Sequence, residues 1–281
     1  MKKAAYIGLG LTVLGIALMI AGYASGAKTE VYFEKNKVRT ADRKNISEIT
    51  ETLSSFSAVD VDLTSSDIEF IAADGEPRIE FYSGRNIEWE IENDTLEIND
   101  GSEENFSIGV NLSFLFRNRN TNLIKVYLPE NSELSEIDIK CTSGDARFFG
   151  VNSEYIRAEM ISGDIIFENL VSNECRLRLV SGDAKLRMID VNELFIANIS
   201  GDCDVSGTVT VGRYEFTAGD IDLILSGSSD EYRKDINIFS GDLYINGKKS
   251  AGFERGKSDL PRRVKVDSTS GDVKLTFEDM K

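Results

Sequence analysis

Apolar side chains recur in four columns along the second half of this 281-residue chain. The columns align on a repeated tripeptide: Ser143-Gly144-Asp145, Ser162-Gly163-Asp164, Ser181-Gly182-Asp183 and Ser200-Gly201-Asp202, with glycines 19 residues apart. The motif returns as Ala218-Gly219-Asp220, Ser240-Gly241-Asp242 and Ser270-Gly271-Asp272, at spacings of 18, 22 and 30. Seven residues before the glycine stand Ile137, Ile156, Cys175 and Leu194, and five before it Ile139, Ala158, Leu177 and Ile196. Two residues after it come Ala146, Ile165, Ala184 and Cys203, and four after it Phe148, Phe167, Leu186 and Val205. Later copies keep the downstream pair as Ile221 and Leu223, Leu243 and Ile245, Val273 and Leu275. This alternation is the period of a strand, and no copy carries an apolar run of helical length. Two short strands cannot bury their apolar face alone, whereas stacked copies bury it against each other. The pattern therefore predicts an all-β, single-chain β-solenoid, β-helix-like, with seven or eight coils. At about 4.8 Å per coil it would be roughly 35–40 Å long.

Upstream, Val59-Asp60-Val61-Asp62-Leu63 alternates in the same way. Ser65-Ser66-Asp67 and Ile68–Ile71 then read as a degenerate first copy. Residues 78–128 hold four strand-like runs separated by turn residues, which predicts an antiparallel meander closing the N-terminal end. It is interrupted by a long insertion at 100–122 that carries Phe106, Phe114, Phe116, Arg117 and Arg119. The insertion reads as a strand pair on the solenoid end, or as an exposed apolar and basic patch that recruits a partner or touches the membrane. The wide later spacings predict loops at 226–230 and 247–261. The last strand, 273–277, with its charged tail, would blunt the far edge.

Residues 4–24 carry no charge, follow Lys2 and Lys3, and are long enough to cross a bilayer. The chain thus divides into a transmembrane anchor at 1–26, a linker or stalk at 27–50, an N-terminal β segment at 51–135 and the repeat solenoid at 136–281. Ser25-Gly26-Ala27 offers a weak cleavage site, but the run is longer than a signal h-region, and the reading is an uncleaved single-pass anchor. Lys28, Lys35, Lys37, Arg39, Arg43 and Lys44 would favour a cytoplasmic domain. Against that, the paired lysines before an apolar run match an export signal, so the large domain is placed outside the cell membrane.

Charge narrows the partners. The formal net charge is −16, and because the first 44 residues hold eight basic and three acidic side chains, residues 45–281 carry −21. Such a surface repels nucleic acid and anionic headgroups. Histidine is absent, which removes the commonest general base and metal ligand. Cys141, Cys175 and Cys203 are widely spaced and sit in or beside core columns, so small buried hydrophobe is their reading. Trp89 and Tyr82 read as packing rather than a sugar platform. No catalytic residue, cofactor site or metal site is assigned.

The tripeptide itself reads as a corner: glycine accepts positive φ, and Ser and Asp oxygens accept backbone N–H groups. Stacking would bring Asp145, Asp164, Asp183, Asp202, Asp220, Asp242 and Asp272 into one column of like charge. Either backbone N–H groups neutralise each carboxylate, or calcium ions sit among them. A glycosidase pair would need to occur only once, so repetition in every coil argues against it.

The Ser-Gly-Asp units, the Lys125–Pro129 strand ahead of them, the degenerate Thr64–Phe70 copy and the N-terminal span together resemble the LiaG-like family of bacterial adhesin-type repeat proteins. The likeness covers roughly residues 56–278. It implies a β-solenoid, often linked to the membrane and in some members to cell-envelope stress systems, with no catalytic residues. The expected function is a non-enzymatic, membrane-anchored envelope protein offering a binding or scaffolding surface to an envelope protein or glycan. One alternative is a β-helical enzyme acting on envelope polysaccharide. Another is a cytoplasm-facing structural partner of a membrane complex. Function is expected where the repeat breaks, at the 100–122 insertion and in the two later loops.

Overall fold

In the computed structural model the described residues are 47–83, 87–100, 122–130, 132–255 and 260–278, the strands Glu30–Glu34 and Lys37–Ala41, and residues 15, 18 and 25. The chain forms two compact units, one of residues 48–101 with 122–281 and one of residues 1–47 with 102–121. In the second of these, within the stretch expected to be a linker, Glu30–Glu34 pairs antiparallel with Lys37–Ala41. The span expected at 4–24 lies outside the described residues, apart from residues 15 and 18. Among the described residues no helix is long and apolar enough to cross a membrane. Phe106, Phe114, Phe116, Arg117 and Arg119 also lie outside them.

The larger unit is all β, an open stack of parallel coils. Each coil has one strand before the corner and one after it, and from the third coil on the first of the two is the longer. In spatial order the first coil is Thr95–Asp100 with Leu123–Pro129, the second Ala58–Leu63 with Asp67–Ala73, and the third Glu133–Ser143 with Ala146–Phe149. The fourth is Asn152–Ser162 with Ile165–Glu168. Val171–Ser181, Ala184–Ser200 and Cys203–Ala218, closed by Ile221–Ser226, make the fifth, sixth and seventh. The eighth is Arg262–Ser270 with Val273–Glu278, and the ninth Tyr232–Ser240 with Leu243–Ile245. Nine coils at about 4.8 Å span roughly 38 Å between the outermost two.

All four apolar columns of the first four motifs point inward and are buried. Phe70, Phe148 and Phe167 stack in the column four residues after the corner, with ring centroids 5.0 and 4.4 Å apart. Burying one such ring contributes about 2–3 kcal/mol, so the column is a large share of the core at this end.

Spatial order departs from chain order at both ends, which corrects two expectations. Thr95–Asp100 and Leu123–Pro129 are not meander strands. They pair parallel with the second coil and lie outside it. At this end of the larger unit, among the described residues, the antiparallel pairs are Ile87–Glu92 on Thr95–Asp100, and Arg78–Tyr82 between Leu123–Pro129 and Glu48–Thr52. At the far end Val273–Glu278 does not form the edge. It is inserted between Ile221–Ser226 and Leu243–Ile245. Where a loop was expected at 247–261, Lys248–Ser250 and Phe253–Arg255 cap the ninth coil antiparallel. Antiparallel caps leave no parallel edge to template a further coil.

The corner explains the motif. Every motif glycine has positive φ, for example +136° at Gly182. A Cβ there would overlap the carbonyl oxygen of Gly163, the motif glycine one coil back. Two separate restrictions therefore coincide at one position. The second corner, six residues after the motif glycine, is looser: Gly150, Asn169, Met188 and Gly207 all have positive φ. We expect Gly182→Ala to cost at least about 2–3 kcal/mol in denaturant unfolding. Gly75→Ala, at a positive-φ turn with open space around it, should cost only about 1 kcal/mol. Equal costs at the two sites would show that the carbonyl contact contributes nothing.

Candidate functional site

At each motif the aspartate N–H donates to Oδ1 of the aspartate one coil back. The series runs from Asp145 N–H to Asp67 at 3.0 Å, through Asp164 to Asp145 at 2.9 Å, Asp183 to Asp164 at 2.8 Å and Asp202 to Asp183 at 2.9 Å. It continues from Asp220 to Asp202 at 2.9 Å, Asp272 to Asp220 at 2.8 Å and Asp242 to Asp272 at 2.9 Å. The sequence brought these carboxylates into one column, and the structure shows what each one holds. Arg147 and Lys185 take the outer oxygens of Asp145 and Asp183 at 2.7 and 3.0 Å, and Lys249 takes that of Asp242 at 2.7 Å. In the second coil Ser66 stands where the glycine would be, and Asp100 of the first coil accepts the N–H groups of Thr64 and Ser65. No cluster of three or more potential metal ligands occurs among the described residues. The column is a structural spine.

The cysteines are equally structural. Burial pushes the Cys141 thiol up to about 11 and raises Cys175 and Cys203 further. Trp89 packs against the core.

The feature that sequence reasoning missed lies on the outer face of the long strands. Alternation makes the residue two before the motif glycine point outward, and there a polar side chain is expected. The parallel register stacks Thr142, Ile161, Val180, Ile199, Thr217, Thr269 and Phe239 in this row, from the third coil to the ninth. Ile161, Val180, Ile199 and Phe239 are 55, 45, 54 and 88% exposed, although solvent gains nothing from them. The detectable signal was three β-branched aliphatics at 19-residue spacing in an outward position.

Beside this row runs a groove of about 830 Å³ that reaches from Asp62 in the second coil to Phe239 in the ninth. Its apolar wall is the Ile161–Phe239 row. Its polar wall is the next outward row, four before the glycine, which presents Lys140, Glu159, Arg178, Glu215 and Asp267, with Asp62 at one end. The acids are tied back along their own strands: Glu159 to Arg157 at 2.7 Å, Asp267 to Lys265 at 2.5 Å, and Glu215 to Arg213. The hydrogen bond from Arg157 holds the Glu159 carboxyl below its usual range. Phe195 lies between the guanidinium groups of Arg178 and Arg213, 5.8 and 5.6 Å from its ring centre. The groove thus lies on the regular repeat rather than where the repeat breaks.

A family model describes residues 55–276, the stretch that forms these coils. The chain belongs to the Toastrack DUF4097 family. Among solved structures similar to this Toastrack chain is a Bacteroides fragilis protein named "putative adhesin". The two are 13% identical, with 84% of this chain and 98% of that one covered and a TM-score of 0.48. A Parabacteroides distasonis protein of the same description is 10% identical over 85% and 98% of the two chains, with a TM-score of 0.42. A Clostridium sporogenes protein named "putative cell adhesion protein" is 13% identical over 83% and 100%, with a TM-score of 0.39. No curated protein matches the chain.

Two tests follow from the Toastrack spine. The Asp202 N–H holds the Asp183 carboxyl below its usual range, against desolvation and with help from Lys185. A depressed carboxylate contributes stability above its unfolded pKa of about 4 and loses it as pH falls through the folded value. Wild type should therefore lose stability below about pH 4 more steeply than Asp183→Asn, as read by urea unfolding across that range. Parallel curves would remove Asp183 from the acid response. Millimolar calcium should leave the thermal midpoint and the calorimetric baseline unchanged, because backbone N–H groups occupy the inner oxygens. A saturable heat with a raised midpoint would reinstate a calcium ladder.

Proposed function

We propose that this Toastrack protein is a non-enzymatic, membrane-anchored protein of the cell envelope whose β-solenoid presents a binding or scaffolding surface, in the manner of an adhesin or a LiaG-like accessory of envelope-stress signalling. One observation carries the reading: the row of exposed Ile161, Val180, Ile199 and Phe239 on the solvent face, with the groove beside it. Contiguous exposed apolar surface rimmed by polar groups marks interaction sites. A catalytic reading would need an unrepeated set of acids and bases converging on one point. Three of the four acids that line the groove, Glu159, Glu215 and Asp267, are instead tied to arginine or lysine partners on their own strands. The anchor at 4–24 and the outward placement of the solenoid rest on the uncharged N-terminal run and its lysines.

Protease added to spheroplasts should cleave the solenoid without lysis. Cleavage only after lysis would place it on the cytoplasmic side. A photoreactive residue at position 180 should form adducts in intact cells, whereas one at exposed Arg187, on the short-strand side, should not. Equal labelling at the two positions would sink the groove as the contact surface.

A further inference from the structure

The partner's chemistry follows from the groove's surroundings. On its polar side the apolar row is bounded by Asp62, Glu159, Glu215 and Asp267 with Lys140 and Arg178, and three of these acids already hold a cation on their own strand, Arg157, Arg213 and Lys265. Beyond the groove, one residue past each glycine, runs the corner column of seven aspartates, where the outer oxygens of Asp145 and Asp183 are taken by Arg147 and Lys185 of the short strands. Among the described residues Asp145, Asp183 and Asp242 carry an Arg or Lys partner. Around both, residues 45–281 carry a net −21. A polyanion is repelled by this field, and so is a second copy of the chain at −16. An uncharged glycan would stack on aromatic rings, whereas the row offers aliphatic Ile161, Val180 and Ile199 with one ring, Phe239, at its end. What matches an apolar row in a net negative field, with acids along one wall, is a ligand that is apolar along one side and basic along the flank that faces that wall.

Length selects its form. From Thr142 to Phe239 the row advances six coil spacings, about 29 Å at 4.8 Å each, which is the length of a helix of roughly 19 residues. A helix turn rises about 5.4 Å, close to the coil spacing, so apolar residues at i, i+3, i+4 and i+7 meet successive rungs.

We propose that the groove takes a basic amphipathic helix, its apolar stripe on Ile161, Val180, Ile199 and Phe239 and its lysines or arginines along the acids of the polar wall. This rests on the reading of the solenoid as a binding surface and names the ligand class for it.

The test uses the full-length chain in zwitterionic-lipid nanodiscs, with empty nanodiscs as the blank. The probe is a fluorescein-labelled 18-residue leucine–lysine amphipathic peptide, followed by anisotropy. The variant Ile161→Thr/Val180→Thr/Ile199→Thr keeps every charge and installs the residue that already occupies the row at positions 142, 217 and 269. Its thermal melt confirms that it folds. Saturable binding that weakens with salt, and that is at least tenfold weaker in the triple variant, is the expected result. Equal affinity in the triple variant would reduce the interaction to bulk charge and overturn the proposal. So would absence of binding, or preference for the leucine–glutamate peptide of the same pattern. If position 180 still forms adducts in cells while the peptide fails, the binding surface stands and the helix is wrong.

Discussion

An aspartate carboxylate in this fold accepts the N–H of the aspartate stacked on it, at 2.8–3.0 Å from one coil to the next. Seven carboxylates about 4.8 Å apart would repel strongly if they faced one another bare. Engaging one oxygen of each with the next coil's backbone satisfies a donor that the tight corner leaves outside the regular ladder. The same contact fixes the coil spacing at the corner, and the spacing obliges the neighbouring residue to be glycine. At Gly182 no Cβ fits over the carbonyl of Gly163. Glycine and aspartate are thus one device, in which close approach, register and charge neutralisation are met at the same corner.

Much of this was legible in the sequence, because its physics is periodic. Ile137, Ile156, Cys175 and Leu194 share a column because the strand period of two and the coil period of 19 leave no other inward position. Positive φ at the motif glycines followed from their recurrence. Two things were hidden. The order of the end coils could not be read, since spacings of 22 and 30 look like loops, and nothing in Leu243 or Val273 says which neighbour each will choose. The groove was hidden for the opposite reason. Its row mixes Thr, Ile, Val and Phe, so it carries no common chemistry until the strands are laid side by side. Outward isoleucines at 161 and 199 break the alternation, and that break was the available sign.

A scaffold of this kind separates what it needs for stability from what it offers to solvent. The inward columns and the spine admit few substitutions. The outward rows lie on the same strands and are almost unconstrained by them. Substituting Ile199 alters the surface one residue from Asn198, which is buried and bonded to the Gly182 carbonyl at 2.8 Å. A repeated fold can therefore carry unrelated recognition faces with the same core, which is why membership of the Toastrack family fixes architecture more firmly than partner.

The exchanged coils at the C-terminal end have a consequence for how the molecule is made. A solenoid written in spatial order could add each coil to a finished edge as the chain emerged. Here the strands at 232–245 are written first but rest on residues 262–278, which are written last. Until that final segment exists, the ninth coil has its antiparallel cap but no coil to rest on, and the seventh keeps a bare edge. Assembly from one end must therefore stop short and finish by slotting the tail of the chain between two waiting layers, so the stack closes like a bolt rather than a zip.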